Sequence, residues 1–73
     1  MYRILVTPFS GDRSYWLPAM DVPAYMLPAD QINAGRAPVR FDTDIEASIL
    51  VSRVRPLIGG RLDIIYKASR KRA

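Results

Sequence analysis

The side chains that could do chemistry in this chain are few, and their types favour binding over catalysis. Among 73 residues there is no His and no Cys. That removes the commonest general base, the commonest metal ligand and the best nucleophile. Ser and Lys occur, but no Ser lies three or four residues from a Lys on a shared helical face. An unassisted Ser is a weak nucleophile at neutral pH. Asp42, Asp44 and Glu46 alternate as a carboxylate cluster, yet they lack the glycine and the distal bidentate Glu of a calcium loop. Acids gathered at a helix start account for them. The expectation is a protein that is not an enzyme, with no metal and no cofactor.

What remains chemically is positive charge. The formal net charge is +4, from eleven Lys and Arg against seven Asp and Glu. Residues 1–37 cancel, with Arg3, Arg13 and Arg36 against Asp12, Asp21 and Asp30. The excess therefore sits entirely in residues 38–73. A basic half attracts nucleic acid or an acidic protein surface.

These groups must be positioned by a small domain. At this length there is room for one core, so nearly every large apolar side chain must enter it. Tyr2 to Thr7 alternates as a strand, with Tyr2, Ile4 and Val6 on one face and Arg3, Leu5 and Thr7 on the other. Turn residues Ser10 to Ser14 lead to a second extended run, Tyr15-Trp16-Leu17, predicting a hairpin. Three aliphatic-Pro-Ala starts come next at a spacing of five, at Leu17, Val22 and Leu27. They predict a long extended or turning connection pinned over the core, with a short helical turn from Pro28 to Ala34 stopped by Gly35. Val39-Arg40-Phe41 reads as a third short strand.

Thr43 and Glu46 form a capping box, so a helix begins there. At about 100° per residue, Ala47, Leu50, Val51, Val54, Leu57 and Ile58 share one stripe, the core face. Ile45 and Ile49 lie on the wet side, with Arg53 and Arg55 flanking the stripe. Pro56 ends or kinks the helix, and Gly59-Gly60 is expected to cap it. Arg61 to Tyr66 is a closing strand, with Leu62, Ile64 and Tyr66 predicted inward and Arg61, Asp63, Ile65 and Lys67 outward. The predicted fold is a two-layer α+β domain in the order β-β-β-α-β. Its antiparallel-rich sheet has three to four strands, with one helix packed across it. Residues 1–67 form the domain, and residues 68–73, carrying Arg70-Lys71-Arg72, form a basic flexible tail.

The open sheet face then collects Arg3, Arg40, Arg61 and Lys67, with Leu5 and Ile65 among them. Tyr2, Phe41 and Tyr66 fall on the core side, so this face is expected to lack the stacking rings of a single-strand platform. The candidate partner-binding residues are these four cations, Arg53 and Arg55 on the helix, and the Ile45/Ile49 pair.

Phe41-Asp42-Thr43-Asp44-Ile45-Glu46-Ala47, with Gly59-Gly60 and a closing strand after it, resembles the strand–helix–strand plan of small phage and mobile-element proteins. Among these the chain looks most like the anti-CRISPR inhibitors. That resemblance implies a non-catalytic inhibitor of a host nucleoprotein complex, blocking DNA binding by a CRISPR surveillance complex. It carries over no individual site residue. The alternative from composition is a stand-alone basic nucleic-acid-binding module; a structural subunit of a phage particle comes third. No signal peptide or membrane-span pattern is seen, since the first apolar run stops before Thr7-Pro8. A cytoplasmic monomer is the expectation, with no membrane partner.

Overall fold

The computed structural model describes residues 1–32 and 34–67. Within them the chain forms a small α+β domain, with helices packed against a three-stranded antiparallel sheet in the order β2-β1-β3. The strands are β1 (Tyr2–Pro8), β2 (Tyr15–Trp16) and β3 (Gly60–Tyr66). The expected tail, residues 68–73, lies outside the described residues.

Strand β1 alternates without interruption to Pro8, whose missing N–H would face β2 and so limits pairing on that side, while the ladder to β3 runs on to Phe9 N–H donating to Gly59 O at 3.0 Å. Its register runs from Tyr2↔Tyr66 to Pro8↔Gly60 on one side, and pairs Leu5 with Trp16 and Val6 with Tyr15 on the other. The hairpin turn is closed by Gly11 at φ +90 and by a hydrogen bond from Ser10 Oγ to Asp12 Oδ2 at 2.8 Å. The expected third strand is reduced to two isolated bridges, Tyr2↔Phe41 and Pro18↔Pro38. Pro38 and Pro18 cannot donate to a ladder, so pairing there does not spread.

The Pro-Ala segment is pinned over the core, as its apolar content requires. It is more regular than expected: Val22–Met26 forms a 3-10 helix with Pro23 in its first turn. Proline is harmless there because the N–H it lacks would be unpaired anyway. The Tyr25 hydroxyl, fully buried, donates to Pro18 O and accepts from Met20 N–H, which ties the segment to the strand end. Helix α1 (Ala29–Ile32) comes after Pro28 and places Ile32 in the core. Gly35, at φ +70, lies just beyond it.

Helix α2 (Asp44–Val54) starts where the cap predicts. Thr43 Oγ1 accepts from Glu46 N–H at 3.3 Å and also faces the Glu46 carboxylate at 3.3 Å. Its stripe is as read from the periodicity: Ala47, Val51, Val54 and, beyond the helix, Ile58 are buried, with Leu50 and Leu57 packed beside them. They meet Ile4, Val6, Leu17 and Leu62. Burial of each large aliphatic in this cluster contributes about 1.5–3 kcal/mol.

Two expectations are corrected. Gly59-Gly60 does not cap the helix, which ends before Pro56 in a turn closed by Ile58 N–H to Val54 O at 3.0 Å. Gly60 instead opens β3, where a Cβ would sit 2.8 Å from Thr7 O. The glycine is there for close strand approach. Tyr66, expected inward, is 61% exposed. It stands on an edge strand at the far end of the ladder, edge-on to Tyr2 at 5.2 Å between centroids.

Candidate functional site

The pleat of β1 and its register determine what the open face displays. Arg3, Leu5 and Thr7 share that face with their partners Ile65, Asp63 and Arg61 on β3. Trp16 is the partner of Leu5 on β2, so its indole stands on the same face. The expectation of a face without aromatics is therefore wrong. Sequence reasoning misses Trp16 because Tyr15 and Trp16 are adjacent, and only the hairpin register decides which of them turns inward. Tyr15 packs against the core and Trp16 is left outside, half-buried.

Trp16 organises the cations around it. The Arg3 guanidinium carbon lies 5.5 Å from its ring centroid, and Lys67 Nζ lies 5.7 Å from it. Arg3 comes from the central strand and Lys67 from the position just after β3. Lys67 is held in place by its N–H, which donates to Met1 O at 2.8 Å. The half-buried Leu5 and Ile65 share this face with them.

The other sequence-predicted residues divide. Arg61 is on the face, where its Nε donates to Asp63 Oδ2 at 3.0 Å in a solvent-exposed ion pair. Arg40 is exposed beside Phe41, whose backbone exchanges hydrogen bonds with Tyr2. Arg53 and Arg55 are exposed at the end of α2, in the opposite layer. Of the four cations expected on the open face, Arg3 and Lys67 meet at Trp16, which the sequence reading did not include, while Arg40 and Arg61 make no contact with its ring.

A second surface lies on α2. Ile45 and Ile49 are 69% and 52% exposed. Ser48 Oγ donates to Ile45 O and Ser52 Oγ to Ile49 O, at 2.9 and 2.8 Å. With their hydroxyls bonded back to the helix, these serines add little polarity, and the strip is more apolar than its sequence suggests.

A cleft of about 230 Å³ opens on the core side between Tyr15, Tyr25, Leu27, Ile32, Leu57 and Ile58. Burial raises the phenol pKa of both tyrosines, so they remain neutral donors at physiological pH. Among the described residues no group of three or more His, Cys, Asp or Glu is placed to hold a metal ion. Nor is any helix long and apolar enough to cross a membrane. Comparison with protein-family models, curated proteins and solved structures finds no match to this chain.

Proposed function

We propose that this protein is a non-catalytic binding module whose open sheet face takes a single strand of nucleic acid. A base stacks on Trp16, and Arg3 and Lys67 turn from the ring to the neighbouring phosphates. The observation that carries this reading is the convergence of two cations, one from β1 and one from just beyond β3, on one half-exposed indole. Cation–ring contacts at such a site are worth about 0.5–1 kcal/mol each, weak enough to be exchanged for phosphate contacts. Base stacking on an aromatic side chain contributes about 1–3 kcal/mol and tolerates any sequence. Binding through stacking and phosphate contacts carries a preference for a strand over a sequence.

Mobility-shift titration with single strands at low salt tests this. Changing Arg3, Arg40 and Lys67 together to Glu leaves the circular dichroism spectrum unchanged and abolishes the shift. A folded triple variant that binds as tightly as the parent overturns the reading.

A second reading has its own support. The Ile45/Ile49 strip lies in the opposite layer from the basic face, which suits a protein that grips a nucleoprotein complex from two sides. In that reading the protein is an anti-CRISPR-like inhibitor that blocks DNA binding by a host surveillance complex. Pull-down from bacterial lysate tests it, and failure to recover any nucleoprotein complex counts against it.

A further inference from the structure

We propose that the outer edge of β3, which no other strand covers among the described residues, pairs antiparallel with β3 of a second copy of this chain, joining two sheets into one of six strands. The inference rests on the ladder and does not depend on the proposed nucleic-acid binding.

The two edges of the sheet are built differently. The β2 edge is blunted: the strand is two residues long, and Pro18 and Pro38 keep its pairing from extending further. Short edge strands and prolines are common devices against edge-to-edge association. The β3 edge has neither. It runs seven residues without proline, and its register against β1 is unbroken from Gly60 to Tyr66, with no bulge.

Hydrogen-bond parity shows what this edge offers. Phe9 N–H donates to Gly59 O at 3.0 Å and Lys67 N–H to Met1 O at 2.8 Å, so odd-numbered residues here turn their backbone groups toward β1. Antiparallel strands alternate. Leu62, Ile64 and Tyr66 therefore direct their N–H and C=O outward.

A two-fold axis perpendicular to the sheet at Ile64 uses all three. Ile64 meets Ile64 of the second copy, and Leu62 meets its Tyr66 in both directions. The half-buried Ile64 and the exposed Tyr66 gain apolar cover on the core side. One contact opposes the pairing, because Arg61 falls opposite Lys67 of the second copy. Each of those cations already has a partner in its own chain, Asp63 and Trp16. The axis also leaves both Trp16 faces on the same side, doubling the basic surface.

Sedimentation velocity on the full chain over a concentration series tests the proposal. The expected mass rises from 8.3 kDa toward twice that value. Added salt strengthens association, because two copies of charge +4 repel; nucleic-acid binding responds in the opposite direction. Ile64→Pro abolishes association, and the ladder to β1 survives because that N–H points outward. Tyr66→Pro, at an exposed position, must do the same if the first variant misfolds. Arg61→Glu tightens association about two- to fivefold for each of two reciprocal pairs. A mass that stays at 8.3 kDa up to about 1 mM, or association unchanged by the folded proline variants, overturns the proposal.

Discussion

Lys67 reaches the indole of Trp16 across the width of the sheet, its Nζ 5.7 Å from the ring centroid, although the two residues belong to opposite sides of β1. The contact requires both edges of the sheet to be in register with the central strand. The proposed binding face is therefore a product of the whole fold, and no single loop carries it.

Arg61 is paired with Asp63 at 3.0 Å on the exposed face. Asp63→Asn removes that competitor and should raise affinity for a single strand at low salt, with a steeper salt dependence. Each added phosphate contact changes the slope of log K against log salt by about 0.7 for single strands. Arg61→Ala in the parent should change the slope by less than Arg3→Ala does. Mobility-shift titrations at a series of salt concentrations measure both.

Gly60 and Gly59 make a matched pair. A Cβ at Gly60 meets Thr7 O at 2.8 Å and Pro8 Cα at 3.1 Å, both backbone atoms, whereas Gly59 has nothing within 4 Å. Gly60→Ala should lower stability by about 1–3 kcal/mol through strand displacement, and Gly59→Ala by less than about 0.5 kcal/mol. In a domain of this size 1 kcal/mol corresponds to roughly 4–8 °C in Tm, so thermal melts separate the two.

Burial raises the pKa of Tyr15 and Tyr25 above their usual 10.0; for Tyr25 the hydrogen bond from Met20 N–H partly offsets this. The unfolded chain loses these protons first as pH rises. The stability they contribute is therefore full below pH 10 and lost as pH climbs through the folded-state values. Denaturant melts should be flat with respect to these groups up to that pH and fall above it. Tyr25→Phe should flatten the alkaline fall. At neutral pH it should cost about 1–3 kcal/mol, by leaving Pro18 O and Met20 N–H unpaired.

Much of this fold was legible in the sequence because local rules and the core agreed. Thr43 and Glu46 mark the helix start, the stripe from Ala47 to Ile58 marks its inner face, and the alternation of Ile4 and Val6 is the buried side of β1. The misreadings share a cause. Whether Trp16 faces out, whether Tyr66 is covered and why Gly60 is a glycine all depend on which residue of another strand lies opposite. That pairing is long-range and leaves no periodic mark. Val39 to Phe41 reads as a strand by residue type, but the prolines around it confine pairing to bridges. Ile45 and Ile49 were legible as exposed, whereas the inward turn of the Ser48 and Ser52 hydroxyls was not.

The helix strip gives the second reading its own test. Ile45→Lys with Ile49→Lys should leave Tm nearly unchanged, since both side chains are mostly exposed. Strand binding by the sheet face should persist in this variant. Capture of a host nucleoprotein complex should be lost if the strip docks on it, and pull-down with parent and variant in parallel compares them.

Trp16 is the single Trp of the chain, so its fluorescence reports on the proposed face alone. Titration with a short single-stranded oligonucleotide at low salt, monitored by tryptophan emission, tests strand binding at this face. Stacking on Trp16 gives saturable quenching that added salt reverses, and Trp16→Ala loses affinity roughly 5- to 150-fold in a parallel mobility shift. Emission unchanged by excess strand at low salt, or a folded Trp16→Ala variant that binds as tightly as the parent, would contradict it.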